Sequence, residues 1–346
     1  MIESEHGGDI YRSLGCMDFS ANINPLGMPP AVLLAAWEGV TNSTQYPDVF
    51  CEELREGIGS YEGIEKETIL CGNGAADIIY SFVLGFRPQK ALLLAPTFSE
   101  YEHALETVDC EPIFYPLKES LDYELDIEYL KYLDDSIDVI FLCNPNNPTG
   151  QLISKDLLLE VLEQTKKHEI FTVMDECFLD MIHDGNHYSV KDLLKDRRDL
   201  LLIKAFTKLY AMPGLRLGYG ITYNLELLHK MREATQAWNV SLPAQKAGVA
   251  ALQEKKYVEE TRTLIQRENH WLKSQLKELG LKVFDSKANY IFFKGPIDLY
   301  ERMKHKGYLI RDCSNYRNLE KGSFRIAVKL PEDNQRLIQT LKDVLS

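Results

Sequence analysis

The sequence predicts an α/β protein: a doubly wound, mainly parallel sheet domain followed by a smaller α+β domain. Three observations predict this. Between about residues 40 and 235, short runs of Ile, Leu and Val alternate with helix-length stretches, the pattern of a sheet buried on both faces. Beyond about residue 240, strand and helix patterns mix at wider spacing. The chain has 346 residues, 45% hydrophobic and 26% charged, which suits roughly two globular domains rather than a disordered or fibrous chain.

The elements follow in order. Residues 1–40 form an arm rich in Gly, Asn and Pro ("HGGDIY", "SANINPLGMPP") that is expected to wrap over another surface and join the small domain. Residues 41–240 make the large domain. Its strands are read at "TILCGNG", "KALLLAPTF", "EPIFYPL", "DVIFLC", "IFTVMDECF", "DLLLIKAFTK" and "LRLGYGIT". Helices are read at "AADIIYSFVLGF", "EYEHALETV" and "SKDLLLEVLEQTKKH", the last with Ser154 as its N-cap. Residues 241–346 make the small domain, opening with one long helical stretch from about 243 to 279.

The net charge of -13 provides no global basic field, so no nucleic-acid partner is expected. The N-terminus lacks the basic and apolar regions of a signal peptide, and no uncharged apolar run reaches about 18 residues. A cytoplasmic protein with no membrane contact is the expectation. The seven cysteines are scattered, without CxxC or metal spacing, so free thiols and no metal are expected.

In an open α/β sheet, ligands bind beyond the carboxyl ends of the strands. Four polar features fall there. "GNGAAD" (72–77) places the N–H groups after Gly74 and around Ala75 at a helix start, which is either a phosphate cradle or a plain turn. "NPNNPTG" (144–150) is turn chemistry, but it directly follows a buried strand, so Asn147 could donate into a cleft. Asp175 in "VMDECF" ends an apolar strand; it either caps a loop or meets a buried cation such as a protonated ring nitrogen. Lys208 in "KAFTKLYAMPGLRLGYG" is either a snorkelling lysine or an imine-forming amine with a lowered pKa, and Arg216 pairs with an acid or holds a phosphate. A phosphate cradle, an amide donor, a buried acid and a lysine followed by an arginine match the demands of pyridoxal 5'-phosphate: amides and Arg for its phosphate, Asp for its ring nitrogen, Lys for its aldehyde.

On "NPNNPTG", "MDE" and "TKLYAMPGLRLGY" the chain resembles the fold-type I pyridoxal-phosphate enzymes of the class I/II aminotransferase group. The resemblance runs from His6 to the C-terminus and is strongest to the branch holding histidinol-phosphate aminotransferases and L-threonine-O-3-phosphate decarboxylases. It implies the aspartate aminotransferase-like fold, with a mainly parallel seven-stranded sheet in the large domain, and a homodimer.

The resemblance also implies roles. Lys208 would bind the cofactor aldehyde and shuttle protons, and Asp175 would pair with the ring nitrogen. Asn147 would donate to the phenolate oxygen, and Tyr101 would stack on the ring. Gly74, Ala75, Thr207 and Arg216 would hold the phosphate, joined by Tyr46 of the neighbouring subunit. His6, Asn22, Arg311 and Arg325 would bind a small phosphorylated amino-acid substrate.

Two positions depart from the usual pattern: Ala205 replaces a Ser or Thr, and Phe178 replaces the tyrosine of the aminotransferase "DEAY" run. Phe178 and the "HGGDIYR" arm resemble the decarboxylase side. The implied reaction is decarboxylation of L-threonine O-3-phosphate to (R)-1-aminopropan-2-yl phosphate, which in the family serves cobalamin synthesis. The alternative is a histidinol-phosphate-type aminotransferase using 2-oxoglutarate and glutamate.

Overall fold

A computed structural model describes residues 6–346, so the part of the N-terminal reading that falls on residues 1–5 lies outside the described residues. The main sheet has seven strands. In spatial order they are Ile69–Gly72, Gly218–Ile221, Leu200–Ala205, Phe171–Asp175, Val139–Cys143, Lys90–Ala95 and Glu111–Pro116. Neighbours run parallel except for Gly218–Ile221, which is antiparallel to both of its partners. The sheet is mainly parallel, as expected. The reversed strand has a local cause: only a four-residue helix, Phe206–Leu209, lies between it and the preceding strand, too little for a full crossover.

Alternation along each strand divides the core into two faces. Leu92, Leu94, Ile140 and Leu142 pack on one side, and Ala91, Leu93, Val139 and Phe141 on the other. Helix Ala75–Phe86 lies close against the reversed strand. A Cβ on Gly218 would sit 2.6 Å from the Ala75 nitrogen, so glycine is needed there.

The small domain carries a four-stranded antiparallel sheet, ordered Arg311–Asp312, Ser323–Ala327, Tyr290–Lys294 and Lys282–Val283. Helices Lys255–Glu278 and Pro331–Leu345 cover it, through Leu272, Leu276, Leu337 and Leu341. The arm joins this domain. Met17–Asp18 pairs with Tyr308–Leu309, and Phe19 is fully buried in the small-domain core.

The long helical stretch divides into Leu242–Ala251 and Lys255–Glu278. The first piece packs on Pro30–Thr41 so closely that a Cβ on Gly39 would lie 2.5 Å from Pro243 Cα. The second turns away to cover the small-domain sheet. Their burial requirements differ, and the chain bends at Leu252–Glu254 without glycine or proline.

The loop after Val139–Cys143 abuts the small domain. Gly150 has φ +74° and accepts a hydrogen bond from the Lys287 N–H (2.9 Å), while Tyr290 donates its hydroxyl to the Asn146 carbonyl (2.8 Å). A Cβ on Gly150 would lie 1.9 Å from Ser286 Oγ and 2.6 Å from its Cβ. Gly150→Ala should therefore cost at least about 1–3 kcal/mol, through the clash and the left-handed backbone. Thermal unfolding should show a Tm several degrees lower; an unchanged Tm would contradict this packing.

Candidate active site

A cavity of about 440 Å³ opens at the carboxyl ends of the parallel strands, where Cys143, Asp175 and Ala205 each end one. It is lined by Lys208, Asp175, Asn147, Thr207, Ala75, Arg216, Asn22, Arg325 and His6, all singled out from sequence, and also by Phe98, Glu100, Cys177, Phe178 and Tyr316.

Lys208 stands in the short helix that follows Leu200–Ala205. Burial, then the nearby Arg325 and Arg216 charges, lower its pKa to about 8, although Cys177 and Asp175 work against this. Its Nζ lies 5.8 Å from the centre of the Phe178 ring. Lys204, one turn earlier, is the counter-example. It is buried, but its Nζ reaches Glu62 Oε1 and Asp180 Oδ1, each at 2.9 Å. Burial would depress Lys204 too, yet the two carboxylates outweigh it and raise the pKa. Lys204 is thus a paired structural cation, and Lys208 is the lysine kept available for chemistry. Competitive acetylation of the cofactor-free protein should give Lys208 a midpoint near pH 8, against the roughly 10.4 of ordinary lysines. A midpoint above about 10 would contradict the arrangement.

The arm fixes the Lys208 backbone. The Asn24 N–H donates to the Lys208 carbonyl (3.1 Å), and Asn24 Nδ2 donates to the Leu209 carbonyl and to Thr261 Oγ1, both at 2.7 Å. Asn24 is buried. The sequence reading passed over it, because "ANINP" looks like turn chemistry until its long-range partners are seen.

Asp175 is buried with both oxygens engaged: Oδ2 accepts from the Tyr101 hydroxyl (2.7 Å) and Oδ1 from the Cys177 N–H (2.9 Å). This corrects the expectation for Tyr101. Its ring is fully buried and stacked on Phe141 at 5.2 Å, outside the cavity lining. Phe98, three residues earlier, is the aromatic in the cavity wall. Phe98 lies in the loop before helix Glu100–Glu106 and Tyr101 in its first turn, and the buried carboxylate claims the one with a hydroxyl. Burial and Asp175 raise the Tyr101 pKa well above its ordinary value, so it remains a donor. Tyr101→Phe should leave Asp175 Oδ2 without this partner and cost about 1–3 kcal/mol, readable as a shift of the denaturant midpoint. A midpoint identical to that of the wild type would contradict the bond.

The remaining residues divide between the cavity and its surroundings. Gly74 has φ +87°, a left-handed backbone that favours glycine, and a Cβ there would come within 2.5 Å of Arg216 Nη2, so the guanidinium lies against the helix start. Arg325 donates from Nη1 to Asn147 Oδ1 and from Nη2 to the Ser20 carbonyl (3.0 Å), while its buried Nε has no partner among the described residues. Asn147 therefore turns its carbonyl to Arg325, leaving its NH2 as the donor end. Asn22 Oδ1 is also buried without a partner among the described residues.

Arg311 is placed behind the wall rather than in it. It bonds to Asn315 Oδ1 (2.8 Å) and lies over Tyr316, which lines the cavity. Tyr46 is outside its own chain's cavity, exposed and stacked on Trp238 at 4.6 Å. Phe178 packs edge-on against Tyr290 at 5.1 Å.

The arrangement offers a lowered-pKa amine, a fixed carboxylate on the neighbouring strand, a bare helix start with an exposed arginine beside it, and another arginine that is buried. That set suits an anionic, amine-bearing ligand and proton transfer at a carbon held near Lys208.

Comparison with known proteins agrees with this architecture. Residues 15–341 match the family described as aminotransferase class I and II. The threonine-phosphate decarboxylase of Salmonella typhimurium (strain LT2) is 33% identical over 359 positions, covering 100% of this chain and 98% of that protein. The crystal structure of a histidinol-phosphate aminotransferase from Clostridium acetobutylicum superposes with a TM-score of 0.89 at 31% identity, over 94% of this chain and 98% of that one. That of L-threonine-O-3-phosphate decarboxylase from Porphyromonas gingivalis gives 0.83 at 26% identity, over 94% and 98%. With its fold, the order of its site residues and near full-length likeness all in agreement, this chain belongs to the aminotransferase class I and II family.

Proposed function

We propose that the protein is a lyase that uses pyridoxal 5'-phosphate to decarboxylate L-threonine O-3-phosphate to (R)-1-aminopropan-2-yl phosphate. The observation that carries this reading is that Lys208 shares one cavity with two separate cationic groups, Arg216 and Arg325, both near enough to lower its pKa, and with His6 at the cavity wall. Arg216 serves a cofactor phosphate, and Arg325 and His6 serve a substrate with two anionic groups. Near full-length likeness to threonine-phosphate decarboxylases supports the same assignment.

The cofactor fits the residues present. The Ala75 helix start, Thr207 and Arg216 would hold its phosphate. Asp175 would face a protonated ring nitrogen, its carboxylate already oriented by Tyr101 and the Cys177 N–H. The Asn147 NH2 would donate to the phenolate oxygen, alone, because Phe178 has no hydroxyl to share that task. When bound, pyridoxal 5'-phosphate supplies an aldehyde that takes up amines and a ring that accepts the electron pair released at the substrate Cα.

The chain's own residues then select the reaction. Arg325, with an unused Nε and a cation-π contact to Tyr290 at 5.4 Å, holds an anionic group of the substrate rigidly. His6 meets the substrate phosphate from the arm. Lys208, as ammonium, delivers a proton to Cα in place of the departing carboxylate; its pKa of about 8 suits a donor near neutral pH. Phe178, whose ring lies 5.8 Å from Nζ, makes the wall there apolar, which limits water around the amine.

Two copies of the chain are proposed to pair, with the exposed Tyr46 reaching the other copy's cofactor phosphate. A cytoplasmic setting is part of the same reading; among the described residues no helix is long and apolar enough to cross a membrane.

A histidinol-phosphate aminotransferase is the second reading, favoured by the TM-score of 0.89 to such an enzyme. Purified protein given L-threonine O-3-phosphate or histidinol phosphate, each with and without 2-oxoglutarate, separates the two. The decarboxylase reading expects turnover of the threonine derivative and no glutamate in any tube. Glutamate formed from histidinol phosphate would establish the other.

A further inference from the structure

Glu100 is a second carboxylate, besides Asp175, in a cavity otherwise suited to anions, and the proposed chemistry gives it no task. It is the first residue of helix Glu100–Glu106. Its Oε1 meets His6 Nε2 at 2.8 Å and lies 3.4 Å from His103 Nδ1, while Tyr80 donates its hydroxyl to Oε2 at 3.4 Å. The bond from His6, ahead of the other causes, holds the Glu100 carboxyl below its usual range, so the carboxylate is charged at neutral pH.

The strap that carries His6 is built to lie where it does. A Cβ on Gly7 would fall 2.2 Å from the Ser20 carbonyl oxygen, and Gly8 has φ +91°, so the two glycines of "HGG" are steric requirements. The Gly8 N–H donates to Ser20 Oγ (2.7 Å), which in turn donates to Asp18 Oδ1 (2.6 Å). The carbonyl of the same Ser20 accepts from Arg325 Nη2 (3.0 Å). The strap is thus anchored at Ser20 beside Arg325 and at its far end by Glu100.

We propose that Glu100 is a positioning residue for substrate binding: by pairing with His6 it stretches the N-terminal strap across the cavity, so that His6 and Arg325 address one phosphorylated ligand from two sides. The proposal rests on the reading above that the substrate carries a phosphate which His6 meets. It has a sharp competitor. A carboxylate beside an anion site, doing nothing for His6, would only repel the ligand, and its removal would then tighten binding.

The signs are opposite, so kinetics on the holoenzyme decide. Under the proposal Glu100→Ala raises KM for L-threonine O-3-phosphate about tenfold, with kcat within about twofold, because a charge-assisted bond that orders the strap is lost. Glu100→Gln, which keeps an acceptor oxygen, falls in between. In a His6→Ala background, Glu100→Ala adds nothing further. Affinity for L-threonine, which lacks the phosphate, is unchanged by either substitution.

A second readout needs no turnover: in the cofactor-free protein, hydrogen exchange at the Gly8 amide is faster in Glu100→Ala than in wild type. A lower KM in Glu100→Ala, or the same change with and without His6, overturns the proposal, as does unaltered Gly8 exchange. If wild-type protein does not act on L-threonine O-3-phosphate at all, the substrate assignment fails and the ligand half of the proposal falls with it. Gly8 exchange still decides whether Glu100 holds the strap.

Discussion

Lys208→Ala should reduce turnover by at least about 10⁴-fold, because one substitution removes both the amine that engages the cofactor and the proton donor at Cα. The protein should still fold, since Lys208 has no carboxylate partner like those of Lys204 and its burial keeps a lowered pKa of about 8. Truncation removes a strained charge rather than a structural pair. Absorbance spectroscopy on the purified variant should show loss of the bound cofactor's visible band, with the far-UV dichroism of the wild type. Lys204→Ala should behave in the opposite way. It would leave Asp180 without its cation and buried Glu62 with Lys191 alone, and damage folding before chemistry. A Lys208 variant that keeps the visible band unchanged would mean that the wrong lysine has been assigned.

Asp175→Asn should lower kcat by about 10²–10³-fold, the range for removing one preorganised electrostatic partner. The side-chain shape is kept, but the negative charge is gone. An amide also places an NH2 group opposite either the Tyr101 hydroxyl or the Cys177 N–H, both of which now donate to a carboxylate. About 1–3 kcal/mol of stability should be lost with that mismatch. Kinetics and denaturant unfolding on the same preparation separate the two effects. A kcat within a factor of a few of the wild type would remove Asp175 from the mechanism.

Much of this architecture was legible in the sequence, for physical reasons that differ by element. The strands Lys90–Ala95, Val139–Cys143 and Phe171–Asp175 are buried on both faces, so each is an unbroken apolar run that can hardly be read otherwise. Lys208 and Asp175 stood out because charged residues at the ends of such runs need a reason. Reversal of Gly218–Ile221 was not legible, because pairing direction depends on the length and packing of the connection and not on the strand's own residues. The bend at Leu252–Glu254 was hidden for a related reason. No breaker residue marks it, and only the separate surfaces covered by the two helices require it.

Within the site, the exchange of roles between Phe98 and Tyr101 shows where sequence reading stops. "FSEY" offers two aromatics three residues apart, and the choice between them is made by Asp175, 74 residues after Tyr101. Asn24 and Glu100 share that limit. Each acts through partners distant in the chain (Thr261 for one, His6 for the other), and a polar residue in a turn or at a helix start has an ordinary local explanation until those partners are in view.

The central claim is that Lys208 delivers a proton to Cα where a carboxylate has left, without a second substrate. It is tested most directly by running the wild-type enzyme on L-threonine O-3-phosphate in deuterated water with no keto acid present. The account predicts equal amounts of CO2 and 1-aminopropan-2-yl phosphate, one deuterium on the product's amine-bearing carbon, and continued turnover with no amino acceptor consumed. Turnover that stops after one equivalent and resumes only when 2-oxoglutarate is added, with glutamate appearing and no CO2 released, would contradict it.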